Sequence, residues 1–168
     1  MRDASAEFDP LGILRVLSEH DVQFIVIGGV SGNLHGSTTL TEDIDVMYSR
    51  ERGNLRRLAS ALAAIEATLR GAQAGLPFKP DARTLSRGLS FTFETRFGPL
   101  DCLGEAAGGF TYDTLVRNAE TYPIDELKIV TASLDDLIRM KRAAGRIKDR
   151  VEVENLSALR EVRERHSR

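Results

Sequence analysis

Cysteine is almost absent from this chain: Cys102 is the only one among 168 residues, which excludes a disulfide framework. Histidine is scarce as well, with only His20, His35 and His166, too scattered to build a zinc cage with that single thiol. Any metal in this protein is therefore expected on oxygen ligands. Long apolar runs are missing too. Phe24–Ile27 is a stretch of four, against the roughly 20 residues a membrane-spanning helix needs. The N-terminal stretch carries Asp3, Glu7 and Asp9 in place of the basic residues of a targeting signal, so a cytoplasmic location without a membrane partner is the expectation. Two familiar phosphate-binding loops are also lacking. No Gly-Lys-Ser/Thr loop occurs, and Val30 occupies the second glycine position of a dinucleotide fingerprint.

What remains, 42% hydrophobic and 29% charged residues, is the composition of a folded chain, read here as one domain over residues 1–168. At this length about two-thirds of the unfolded chain's surface is buried on folding, enough for a rigid core without staples. The net charge is only −2, but its distribution is uneven. From Arg139 onward ten basic residues face five acidic ones. Such a segment suits phosphate neutralisation or, more commonly, a solvated helical face.

Periodicity supplies the elements. Asp9-Pro10 opens a helix with Leu11, Leu14 and Leu17 inward, ending near His20 and Asp21. Residues 22–27 are apolar with little alternation, as in a strand buried on both faces. Gly28-Gly29 stops it, a short helix runs from Val30 to about Leu34, and a second strand spans Asp43 to Tyr48. Leu55, Leu58, Leu62 and Ile65 mark a helix. Residues 71–88, rich in glycine and proline, read as a long irregular connection, either a lid or a plain surface excursion. A hairpin follows, with Leu89 to Glu94 turning at Gly98-Pro99 into Leu100 to Leu103. Then come a short helix near Tyr112, two small strands at 120–124 and 127–130, a helix capped by Ser133, and a last helix from about Asp149 with Leu156, Leu159 and Val162 inward.

Asp43-Ile44-Asp45 concentrates the chemistry. Residues two apart on a strand share a face about 6–7 Å apart, so the two carboxylates converge while Ile44 and Val46 face the core. Without a cation they repel, which makes a hard divalent ion, Mg²⁺ or Mn²⁺, their natural occupant. A bare Asp-x-Asp is more often a turn cap beside a solvated acid. Its surroundings shift that balance. Gly28-Gly29 follows a buried strand and opens a helix, where backbone amides can approach phosphates and Ser31 can offer its hydroxyl. Asp101, on a later strand with Leu100 and Cys102 pointing away, adds a third carboxylate.

Taken together, Gly28-Gly29-Val30-Ser31, Thr41-Glu42-Asp43-Ile44-Asp45 and Asp101 resemble the nucleotidyltransferase superfamily of DNA polymerase β-like fold, in its minimal bacterial branch. Lys141, Arg146, Lys148 and Asp149 resemble the basic motif of AbiEii-like toxin nucleotidyltransferases. The resemblance implies an α/β (α+β) fold, a small mixed sheet flanked by helices, with a basic helical C-terminal segment over about 133–168. It implies Asp43, Asp45 and Asp101 as catalytic and metal-binding residues. Gly28, Gly29, Ser31, Lys141 and Lys148 are implied as nucleotide-binding, and Asp149 as support or as a helix cap. The implied activity is Mg²⁺- or Mn²⁺-dependent transfer of a nucleoside monophosphate from a nucleoside triphosphate to an acceptor hydroxyl. That acceptor would be a tRNA or other RNA end, a protein side chain, or a small molecule such as an aminoglycoside or lincosamide, with an antitoxin protein as partner in the toxin branch. Two positions depart from the pattern: Thr39 where many relatives carry arginine, and Glu152 where aspartate is common. The alternative reading is a degenerate module that binds nucleotide or a partner without transfer.

Overall fold

The computed structural model describes residues 7–72 and 79–168. Its centre is a seven-stranded mixed sheet of order β3-β4-β5-β2-β1-β7-β6. The first helix, α1 (Pro10–Glu19), is capped by Asp9, whose carboxylate accepts from Gly12 N at 3.0 Å. It leads to β1 (Phe24–Ile27), buried at all four positions as its unbroken apolar run requires. Alternate residues of β1 serve two cores: Phe24 and Val26 pack in the larger cluster with Leu14, Leu17 and Leu58, and Ile25 and Ile27 pack in a smaller one with Met47, Leu115 and Met140. After α2 (Gly28–Leu34), β2 (Ile44–Tyr48) returns antiparallel to β1 with Asp45 opposite Ile27.

Helix α3 (Arg52–Ala64) covers the larger core through Leu55, Leu58 and Leu62. Within the connection expected to be irregular, residues 73–78 lie outside the described residues. Ahead of it, β3 (Thr68–Leu69) adds an edge strand, and within its described remainder the expectation is corrected, because α4 (Ala82–Arg87) forms a helix. Asp81 caps α4 by accepting from Thr84 N at 2.8 Å, and Leu85 is fully buried, so a cap and one anchor outweigh the flanking proline and glycine.

Strands β4 (Ser90–Thr95) and β5 (Gly98–Leu103) form the expected hairpin, but its turn sits at Arg96-Phe97 and Gly98 belongs to β5. Gly98 has φ +106, and a Cβ there would come within 3.3 Å of the Phe8 backbone, so the glycine serves close packing. The short helix α5 (Tyr112–Leu115) leads to the antiparallel pair β6 (Glu120–Ile124) and β7 (Leu127–Thr131). Ser133 caps α6 (Leu134–Ala144), and Gly145 ends it in the left-handed conformation. Helix α7 (Ile147–His166) starts two residues earlier than expected and docks on α6 through Leu156, which packs with Leu134, Leu137 and Ile138. Leu159 is only partly buried and Val162 is half exposed, a correction to the expected inward stripe: α7 extends past α6, and its later turns face solvent. Among the described residues no helix is long and apolar enough to cross a membrane.

Candidate active site

Strand register assembles the acidic centre. Strand β5 runs parallel to β2 with Asp101 beside Asp45, so side chains from sequence-distant strands emerge on one face as in-register neighbours. Asp43 lies in the bend just before β2. Thr41 holds that bend, its hydroxyl donating to the Asp43 carbonyl at 2.9 Å. One carboxylate oxygen from each of Asp43, Asp45 and Asp101 lies within 4.8 Å of the others. The Gly28-Gly29 turn roofs this cluster. Gly28 has φ +68, and a Cβ there would collide with the Asp45 carboxylate; a Cβ on Gly29 would come 2.9 Å from the Thr41 hydroxyl. Both glycines are thus required by contact with the acidic loop, and Gly28 also by its backbone conformation.

Electrostatics shows the strain of crowding three acids. Burial pushes the Asp45 carboxyl from its ordinary 3.8 up to about 7, with the charges of Asp43 and Asp101 and a hydrogen bond to Asp101 adding to the rise, against Lys141. Burial likewise raises Asp101, helped by Asp43 and opposed by Arg70 and by the bond from Asp45. All three donors are hard carboxylate oxygens, partly buried. That set fits an oxygen-seeking divalent ion and offers no soft ligand, since Cys102 is buried on the other face of β5.

Arg70 was not legible as a site residue. Just after β3, its guanidinium reaches Asp101 at 3.0 Å and Glu94 at 3.0 Å and donates to the Phe93 carbonyl at 3.2 Å. Its backbone N–H bonds Thr92 O, and Thr92 pairs with Asp101 across β4 and β5. Only that lateral register brings it to the acids. Lys141, mostly buried on α6, lies 3.7 Å from Asp149. Asp149 is buried in the first turn of α7 and accepts from the Arg146 backbone at 3.1 Å and from its guanidinium at 2.7 Å. Burial raises the Asp149 carboxyl, but the Arg146 hydrogen bonds and the charges of Arg146 and Lys141 outweigh it and hold it below the ordinary range. Asp149 thus acts as a helix cap and as the anchor of Lys141.

Two expected nucleotide contacts stand differently. Lys148 is exposed and has no partner among the described residues. Ser31 is fully buried, and its hydroxyl lies 2.6 Å from that of Thr131, which in turn donates to the Val26 carbonyl at 3.0 Å. It ties α2 to β7 and β1 and is not open to a phosphate. At the far end of α2, His35 Nε2 donates to the Ala132 carbonyl at 2.7 Å, leaving Nδ1 to accept from Arg163 at 3.1 Å. The two departures from the motif meet, because the Thr39 hydroxyl donates to Glu152 at 2.7 Å and closes the loop before the acids onto α7.

No family model matches the chain, and no curated protein sequence matches it. Solved structures do. The lincosamide antibiotic adenylyltransferase LnuA, determined with lincomycin bound, aligns with a TM-score of 0.61 at 14% identity over 91% of this chain and 99% of that one. A Thermotoga maritima protein assigned to the nucleotidyltransferases aligns at 0.54 and 14% identity over 89% and 94%. The antibiotic-resistance factor ANT(2'')-Ia aligns at 0.50 and 16% identity over 92% and 89%. With its mixed sheet, flanking helices and C-terminal helix, this chain therefore has the nucleotidyltransferase fold.

Proposed function

We propose that the protein is a metal-dependent nucleotidyltransferase of the cytoplasm, where nucleoside triphosphates are found. The observation that carries this reading is the convergence of Asp43, Asp45 and Asp101 directly beneath the Gly28-Gly29 turn. Asp43 and Asp45 are the residues that would hold Mg²⁺ or Mn²⁺, with Asp101 completing the set. Bound there, the ion supplies charge neutralisation and polarisation at the reacting phosphate. The chain's own groups do the rest. Backbone amides at Gly28 and Gly29 hold the phosphates, together with Lys141, whose charge reaches Asp45. Asp101, fixed by Arg70, orients the acceptor hydroxyl and takes its proton. The acceptor oxygen bonds to the α-phosphorus in line as the bond to the β-phosphate oxygen breaks, and pyrophosphate leaves with that electron pair. Ser31 serves the turn from below, through Thr131.

The acceptor best supported is a small hydroxylated molecule, the class to which the lincosamide bound by LnuA belongs. Five residues of the basic C-terminal segment, Arg139, Lys141, Arg146, Arg160 and Arg163, are already paired with acids of the same chain, which reduces its capacity for a polyanion. One observation favours a second reading, an RNA end as in the AbiEii-like toxin branch: Arg142, Lys148 and Arg150 are exposed around the α6–α7 corner and have no ion-pair partner among the described residues. An antitoxin partner belongs to that reading alone. The test incubates the protein with Mg²⁺ and each labelled nucleoside triphosphate, adding total tRNA, lincosamides or aminoglycosides. Transfer to a small acceptor supports the first reading. Transfer to tRNA that falls steeply with salt and is lost when Arg142 and Arg150 are changed to Glu supports the second. Label transfer to none of them, with no Mg²⁺-dependent nucleotide binding, would overturn both.

A further inference from the structure

A second cluster of charge lies at the other end of the sheet. Strand β2 carries Asp45 near its start, and the chain reaches Arg50 two residues past its end, roughly 16 Å from Asp45 at 3.3 Å per residue. There a cavity of about 420 Å³ opens between α3 and α4, and four arginines line it: Arg50, Arg52, Arg56 and Arg83. Arg52 and Arg56 stand one turn apart on α3, and Arg83 faces them from α4. The walls are tied together, because the Tyr48 hydroxyl donates to the Leu85 carbonyl at 3.1 Å and the Arg50 guanidinium donates to the Ser86 carbonyl.

Those bonds account for Arg50 as a clamp on the last turn of α4. Arg52 and Arg56 have no hydrogen bond or ion pair among the described residues, and Arg83 has only the longer-range attraction of the Asp81 carboxylate beside it. The adjacent acids make their hydrogen bonds and short ion pairs elsewhere: Glu51 with Arg57 at 3.9 Å and with Gly53 N, and Asp81 with Thr84 N. Guanidinium groups stay charged at any physiological pH and match phosphate oxygens two by two. Several of them around one concave space, in a chain of net charge −2, repel one another unless an anion enters. The cavity is in the size range of small-ligand sites, and it is bounded on two sides by helices where an extended strand of nucleic acid would need an open track.

We propose that this cavity binds a compact polyphosphate, such as pyrophosphate or the phosphate tail of a free nucleotide, at a site separate from the acidic centre. The site requires no metal, since the arginines supply the positive charge. Its occupation stabilises the α3–α4 pair, which packs behind β2, the strand that positions Asp45.

The test is calorimetric titration of the full chain with pyrophosphate in EDTA, where the acidic centre has no cation to attract phosphate. Wild-type protein is expected to bind, with affinity falling as salt rises. An Arg52→Gln/Arg83→Gln variant is expected to bind at least tenfold more weakly while melting at or above the wild-type temperature, because both side chains are at the surface and repel each other. Arg83→Gln alone is expected to lose less, in the same direction. Lys141→Gln, which addresses the proposed nucleotide site, is expected to leave this binding unchanged, so the outcome is independent of whether nucleotide transfer is found. No binding by wild type, or loss in Lys141→Gln with the arginine variants unaffected, would overturn the proposal. So would binding of a short single-stranded RNA in the absence of pyrophosphate binding, which would mark a nucleic-acid contact instead.

Discussion

Asp45→Asn replaces the most perturbed carboxylate of the acidic centre with an isostere, so it separates charge from shape. In the folded chain Asp45 titrates at about 7 against an ordinary value of 3.8. Folded protein therefore binds more protons than unfolded protein between those values, and stability falls as pH rises from about 4 to about 7. The stabilising proton is fully present below pH 4 and lost once pH passes 7. At 1.36 kcal/mol per unit, the penalty above pH 7 is roughly 2–4 kcal/mol, the lower figure allowing for the proton shared with Asp101. Asparagine carries no charge and can still donate to Asp101. In EDTA at pH 8 the variant is expected to melt above wild type, by roughly 5–15 °C for a domain of this size, and the gap should close as pH is lowered toward 4. Added Mg²⁺ should reverse the order, raising wild type and leaving the variant nearly unmoved. Below pH 7 the wild-type response to Mg²⁺ should weaken as the ion competes with a proton. A gap that does not vary with pH, or a variant less stable than wild type at pH 8 in EDTA, would refute the assignment of strain to these acids.

Gly28→Ala combines a positive φ with a collision against Asp45, and a loss of roughly 2–4 kcal/mol is expected in urea unfolding, together with loss of nucleotide transfer. Arg70→Gln removes the cation that competes for Asp101; Mg²⁺ affinity followed by thermal shift should rise roughly three- to tenfold while kcat falls and KM for the nucleotide changes little. Elemental analysis of protein purified without chelator should show no tight zinc, and Mn²⁺ should substitute for Mg²⁺ in transfer, because every available donor is a carboxylate oxygen.

The parts of this molecule that local spacing controls were legible in its sequence. The Asp43-Ile44-Asp45 spacing marks the two acids as a pair, although Asp43 lies in the bend before β2 and is held there by Thr41, and the Gly28-Gly29 break after an apolar run marks the turn above them. Asp101 could be placed on a strand, but its position beside Asp45 depends on β5 pairing parallel with β2, a register that no local pattern encodes. Arg70 lies a further step away, reaching the acids across β4, and so gave no signal. Ser31 misled for a related reason. A serine at the start of a helix looks available to a phosphate, yet the rotation of α2 against the sheet turns it toward Thr131. Helix α4 was hidden by the prolines and glycines that flank it, and its Asp81 cap and single buried leucine are too short a pattern to stand out. The Thr39–Glu152 bond shows why two odd positions are best considered together: separately each is a departure, and in space they are one contact.

The bracing of α2 by His35 has a consequence for how the protein can be handled. A seven-residue helix has almost no stability of its own, so the order of the turn above the acids is borrowed at its far end from Ala132, Tyr122 and Arg163. Arg163 lies in the last turns of α7, a stretch that is otherwise solvent-facing. A surface change that frays those turns of α7 would thus loosen the far end of α2 through a contact between residues 128 apart in sequence, and so reach the turn above the acids without touching it.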